Sequence, residues 1–180
     1  FRRTEKHKLD LVSEMLGKNI NAPLSSGAGR LFDAVSALTG LCHEASFDSE
    51  APMRIESAIN HNSDVCYPFR IADTVVFADM FLAILDDLKK VDVSEISARF
   101  HNTIAQVIVE VAERIRSSRG IGKVVLSGGV FQNRYILERT FQMLEKRRFM
   151  VYTNHQVPVN DGGISLGQTA VASKHFGLCV

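Results

Sequence analysis

The run Lys123-Val124-Val125-Leu126-Ser127-Gly128-Gly129-Val130-Phe131-Gln132-Asn133 constrains this chain more than any other stretch. A β-branched pair followed by leucine predicts a buried strand, and two adjacent glycines predict a tight turn. Tyr135 to Arg147 then carries helical spacing. The pattern recurs downstream. Phe149 to Thr153 predicts a second strand, Asp161-Gly162-Gly163 a second turn, and Ile164 to Lys174 a further helix. Strand alternating with helix argues for an α/β fold with a parallel or mixed sheet and helices on its faces. Residues 119–180 are therefore expected as a βαβα portion. Residues 1–118 are expected as a helix-rich portion that packs around the sheet's edge or forms a second lobe.

Within that helix-rich portion, Leu9, Val12 and Leu16 give a short stripe that stops near Gly17. The loop from Asn21 to Gly29 is rich in turn residues. Leu31, Ala34, Val35 and Leu38 repeat at helical spacing before Gly40, and Pro52 stands near the start of a helix carrying Ile55 and Ile59. Apolar residues from Val75 to Lys90 predict another helix. Ser94 is the expected N-cap of the strongest one, whose stripe of Ile96, Phe100, Ile104, Val107, Ile108, Val111 and Ile115 runs toward Arg116. Ser117 to Gly122 is expected to break it.

Length and charge narrow the function classes. A chain of 180 residues has room for one domain or two small lobes. A formal net charge of +1 advertises neither nucleic acid nor an anionic membrane as partner. The cluster Lys146-Arg147-Arg148 reads as a helix C-terminus. Cys42, Cys66 and Cys179 are far apart and odd in number, which predicts reduced, buried thiols in a cytoplasmic protein. No apolar run approaches the ~18 residues that a membrane-spanning helix needs. The chain opens on Phe1-Arg2-Arg3 without an initiator methionine, so a piece of something longer is expected.

Four places could carry chemistry. After a strand end, the amides of Gly128 and Gly129 can point into space, and the next helix adds the partial positive charge of its N-terminus. Together these favour a phosphate or another anion, although a plain βα turn needs the same glycines. Neither GxGxxG nor a P-loop is present. Asn133, one turn on, could reach a ribose or a base, or cap the helix. Asp161 could cap the next helix or bind a metal, with most other ligands outside this chain. None of His7, His43, His61, His101, His155 and His175 forms an i,i+4 pair with another histidine. Asp33 suits the first turn of its helix or the hydroxyl pair of a sugar, and Glu56 taken alone reads as a surface residue.

Read together, "SSGAGRLFDAVSALTGL" (25–41), "APMRIE" (51–56), "LSGGVFQNR" (126–134) and "VPVNDGGISLGQ" (157–168) resemble the C-terminal end of the carbamoyltransferases of the HypF family, which serve [NiFe]-hydrogenase maturation. Order and spacing agree across essentially the whole chain. "FDSEAP" (47–52) departs from the family's "YEGQAA"-like stretch, and Val159 stands where a second proline is usual. The resemblance implies the second half of an actin/Hsp70-like module, a fold shared with the enzymes that make threonylcarbamoyl-adenosine in transfer RNA. It implies that ATP and carbamoyl phosphate become carbamoyl-adenylate in another domain. This domain type then passes the carbamoyl group to the C-terminal cysteine of the partner HypE. Asp33 and Glu56 are implied to hold the ribose hydroxyls, Gly128 and Gly129 to sit by the phosphate, and Asn133 to contact the adenosine. Asp161 is implied to ligate a divalent metal, iron or zinc, whose histidines would lie upstream. Two alternatives stand beside this reading. One is a nucleotide- and partner-binding module without catalysis of its own, and the other is a transfer-RNA threonylcarbamoyl transferase. The chain alone is expected to bind metal weakly and not to turn over.

Overall fold

A computed structural model describes residues 5–60 and 62–177, and His61 and Cys179 lie outside them. Seven helices and four short strands follow one another in these residues. They are α1 (Lys6–Gly17), α2 (Gly29–Leu38), α3 (Glu50–Ser57), β1 (Arg70–Ile71), β2 (Val75–Val76), α4 (Ala78–Asp87), α5 (Val93–Arg119), β3 (Lys123–Leu126), α6 (Arg134–Lys146), β4 (Met150–Thr153) and α7 (Ile164–Phe176). The last third is the expected alternation, with β3 and β4 paired in parallel from Lys123–Met150 to Leu126–Thr153. α6 makes the connection between them, because parallel neighbours need a crossover. A separate antiparallel pair joins β1 to β2.

The long stripe makes α5 the spine of the molecule. Its first half, through Ile96, Phe100 and Ile104, packs with Phe32 and Val35 of α2, Ile55 of α3, Met80 and Ile84 of α4, and Ile136 of α6. Its second half, through Val109, meets Leu126, Leu144 and Phe149. One rigid helix therefore sits under both the α2–α3 pair and the β3–turn–α6 unit. Arg99 pairs with Asp87 and Glu95, both at 2.8 Å, and the Tyr67 hydroxyl donates to Asp87 at 2.9 Å. These partly buried contacts pin the irregular 62–69 loop against α5 and α4.

Several local expectations need correction. α5 opens at Val93 after Asp92, so Ser94 lies inside the first turn and is not the cap. Its end does fall within the expected 117–122 stretch, after two serines that are still helical, the Ser118 hydroxyl bonding back to the Ile115 carbonyl. The stop comes at Gly120, whose φ of 71° is a glycine conformation. Val75 and Val76 belong to the hairpin, and the helix expected from Val75 starts at Ala78. β3 is only half buried. Val124 and Leu126 face the core, while Val125 is 66% exposed, because α5 and α6 cover one face alone among the described residues. Cys42 is buried as expected, whereas Cys66 is exposed on the 62–69 loop; both are free thiols.

Ser49, just before α3, adopts φ 64° and ψ 13°. Left-handed backbone costs a residue with a Cβ about 1–2 kcal/mol, partly offset by the extra freedom glycine has when unfolded. Ser49→Gly is expected to raise stability by about 0.5–1 kcal/mol, read as a higher urea midpoint at unchanged m-value. A lower midpoint would mean that the serine makes a contact that outweighs its backbone strain.

Candidate functional site

β3 delivers the chain to Gly128, whose φ of 108° and ψ of 159° are closed to side chains. The Gly128 N–H donates to the Val159 carbonyl at 2.9 Å, which ties this turn to the loop before Asp161. A 3-10 turn over Gly129–Gln132 comes next, and α6 opens only at Arg134. The amides beside the glycines thus belong to the 3-10 turn and not to the first turn of α6. Among the described residues the N–H groups of Gly129 and Val130 find no acceptor, and a Cβ on Gly129 would meet nothing within 4 Å. Two unpaired donors beside open space leave room for an anion to approach.

Asn133 is 8% exposed. Its Oδ1 accepts from the Ile136 N–H at 2.9 Å, which caps α6, and its Nδ2 lies 3.0 Å from His101 Nε2. Of the two roles weighed for this residue, capping is the one its geometry displays. His101 is fully buried, with Nδ1 2.7 Å from the Ser97 carbonyl. A carbonyl only accepts, so Nδ1 carries the proton and Nε2 accepts from Asn133. Burial lowers the imidazole pKa to about 4, and the Ser97 hydrogen bond opposes this only in part. His101 is therefore neutral in this arrangement.

Glu56 does not stand alone on the surface. Its Oε1 accepts from the Arg134 N–H at 2.8 Å, at the first residue of α6. α3 is held for this by the Ser97 hydroxyl, which donates to the Ile55 carbonyl. Asp33 pairs with Arg30 at 2.8 Å on α2 and opens onto a groove with Ala34, His43 and Asp48. Glu56 opens onto another groove, with Ile59, Tyr135 and Arg139. Hydrogen bonds thus link Glu56, the glycine turn and the 157–163 loop in one chain of contacts, and packing of α2 on α3 adds Asp33. These two grooves share no lining residue.

Asp161 is exposed and begins a 3-10 turn, Asp161–Gly163, that leads into α7. The cap there is Asn160, whose Oδ1 accepts from the Gly162 N–H at 3.1 Å, so Asp161 is not the capping residue. Its carboxylate has no hydrogen-bond or ion-pair partner among the described residues. A Cβ on Gly163 would come within 2.7 Å of the Pro158 carbonyl oxygen, so only glycine lets this loop close. A free, solvent-facing carboxylate suits one hard-metal ligand. Among the described residues no three His, Cys, Asp or Glu gather to hold a metal ion.

His101 and Ser97 did not stand out in the sequence. Their i,i+4 spacing on an otherwise apolar face of α5 is the signal that could have found them.

Residues 1–168 match the family described as carbamoyltransferase, Kae1-like domain, second subdomain. Over 154 residues the chain is 35% identical to the carbamoyltransferase HypF of Synechocystis sp., covering 82% of this chain and 19% of that protein. The crystal structure of full-length HypF in the phosphate- and nucleotide-bound form is 40% identical and superimposes with a TM-score of 0.88, over 96% of this chain and 24% of that one. More distantly, the transfer-RNA N6-adenosine threonylcarbamoyltransferase of Methanopyrus kandleri is 24% identical over 168 residues, 92% of this chain and 46% of that protein. The chain spans about a fifth to a quarter of the HypF proteins it matches. No helix among the described residues is long and apolar enough to cross a membrane. By the match over residues 1–168 and the identity to its relatives, this chain belongs to the HypF carbamoyltransferase family.

Proposed function

We propose that this chain is the adenylate-receiving part of a carbamoyltransferase of [NiFe]-hydrogenase maturation in the cytoplasm. ATP and carbamoyl phosphate are turned into carbamoyl-adenylate elsewhere in the full gene product. The carbamoyl group then passes to the C-terminal cysteine of HypE, where it becomes the precursor of cyanide. The observation that carries this reading is the position of the Gly128–Gly129 turn. The turn is tied on one side to the loop of Asp161, by the Gly128 N–H on the Val159 carbonyl, and on the other to Glu56, by the Arg134 N–H, with the unpaired Gly129 and Val130 amides between them in sequence. An adenylate phosphate on the Gly129 and Val130 amides would have carboxylates from two other segments within reach of its neighbours.

In this reading Glu56 and Asp33 hold the ribose hydroxyls, and Asn133 serves the adenosine side through the start of α6, which it caps. Asp161 contributes one ligand to a divalent cation, iron or zinc, completed by residues outside the described ones. When bound, such a cation supplies positive charge beside the phosphate or the carbamoyl oxygen as adenylate leaves. The nucleophile belongs to the partner, in keeping with Cys66, exposed on its loop but with its thiol pKa raised mainly by partial desolvation and therefore poorly activated. The share of its relatives that this chain spans favours one alternative. Here the chain is a nucleotide-gripping portion, and the catalytic groups come from the rest of the protein.

A structure of the full gene product with a non-hydrolysable carbamoyl-adenylate analogue tests the proposal. Its phosphate is expected against the Gly129 and Val130 amides, with Glu56 on the ribose. An analogue bound away from the glycine turn ends the reading.

A further inference from the structure

A closed ring of hydrogen bonds joins α3, α5 and the start of α6. The Ser97 hydroxyl of α5 donates to the Ile55 carbonyl of α3. The next residue, Glu56, accepts the Arg134 N–H at 2.8 Å. The residue before Arg134 is Asn133, whose Nδ2 donates to His101 Nε2 at 3.0 Å. His101 Nδ1–H closes the ring on the Ser97 carbonyl at 2.7 Å. Every side-chain link except the Glu56–Arg134 bond is buried. Both ring nitrogens of His101 are used in fixed roles, and so are both ends of the Asn133 amide.

From this ring we infer that His101 is a positioning residue for the nucleotide site, fixing the glycine turn relative to the Glu56 carboxylate. The inference rests on the adenylate reading given above. α3 and the turn lie on opposite ends of a 78-residue separation, and the Glu56–Arg134 bond that joins them is solvent-exposed. An exposed bond of this kind opens easily on its own. The buried path through Ser97 and His101 holds both of its ends on one rigid helix. Phe32, Phe100 and Tyr135 pack edge-on around the imidazole with ring centroids 5.5, 5.5 and 5.8 Å away, so the ring plane has little freedom to turn. A preorganised spacing between phosphate donors and ribose acceptor spares the nucleotide the cost of ordering them.

Two substitutions separate positioning from packing. His101→Asn keeps a donor where Nδ1 stands and removes the acceptor for Asn133. His101→Gln places an acceptor where Nε2 stands. Site-resolved hydrogen exchange in the full gene product reads the Arg134 amide, with Ile104 in α5 as the reference. Exchange at Arg134 is expected to rise about tenfold in His101→Asn and to stay within about twofold of wild type in His101→Gln, with Ile104 unchanged in both. The apparent Kd for AMP, read from protection of the Val130 amide, should weaken about tenfold in His101→Asn alone. Should His101→Asn not fold, Ser97→Ala opens the ring from the α3 side and is expected to loosen the same Arg134 amide. Unchanged exchange at Arg134 in both His101→Asn and Ser97→Ala overturns the inference, as does His101→Gln behaving like His101→Asn. If AMP never protects the wild-type turn, the adenylate reading fails, and the ring is then judged on Arg134 exchange alone.

Discussion

Replacing Asp161 by alanine in the full gene product should abolish carbamoyl transfer while carbamoyl-adenylate still forms at the wild-type rate. The carboxylate is exposed and makes no bond within the described residues, so its removal should change stability by less than about 0.5 kcal/mol. The turn it stands on keeps its shape without it, because Asn160 supplies the cap and Gly163 the close approach to Pro158. What the substitution removes is one negative ligand of the proposed divalent cation, and with it a hold on the positive charge beside the phosphate. Losing a single electrostatic contact at a transferring group costs on the order of a hundred- to a thousandfold in rate. Asp161→Asn should fall as far, since it keeps the shape and loses the charge. Adenylate formation is followed by pyrophosphate release, and transfer by carbamoylation of the proposed acceptor, the HypE cysteine. Equal loss of both steps would take Asp161 out of this role.

Local chemistry explains why the βα half of the fold was readable. Val124 to Leu126, the glycine pair and the amphipathic run after Asn133 each specify their own element within a few residues, and α6 and β4 follow at the expected places. The departures have long-range or subtle causes. Val125 looks like a core valine in sequence, yet α5 and α6 cover only the other face of β3 among the described residues. Four residues of 3-10 turn between Gly128 and Arg134 carry no periodic signal. The hairpin of Arg70–Ile71 with Val75–Val76 is two residues deep and merges with the apolar pattern of α4.

The site divides the same way. Gly128 and Asp161 sit on loops whose composition already suggested exposed turn chemistry. Asn133 admitted two roles from sequence, and only its burial against His101 reveals that its amide is committed to the turn. Glu56 looked like an isolated surface acid because its partner, the Arg134 amide, is a backbone group far along the chain. A backbone donor leaves no residue-type signature. The i,i+4 pair of Ser97 and His101 was visible, but a buried neutral histidine on an apolar helix resembles ordinary core until its hydrogen bonds are traced.

His101 should make this part of the molecule acid-labile. Its folded pKa is about 4, against 6.5 for an exposed imidazole, mainly because burial disfavours the charged ring. The folded state therefore keeps His101 neutral over a range in which the unfolded chain takes up a proton. Its contribution is fully present above pH 6.5 and is lost as pH falls toward 4, where the loss reaches about 3 kcal/mol. Among the described residues no acidic side chain shifts the imidazole back toward its charged form. Its neighbours are Ser97, Asn133 and three aromatic rings. Carboxylates elsewhere titrate in the same range, so the isolating comparison is with His101→Gln, which cannot take up the proton. Urea unfolding at pH 7 and pH 4.5, read by proteolytic cleavage within α5, should show the wild type losing about 2 kcal/mol more than the variant between the two conditions. Identical losses would mean that the imidazole reaches solvent, or carries its proton, in the folded protein, and the neutral acceptor on which Asn133 depends would be gone.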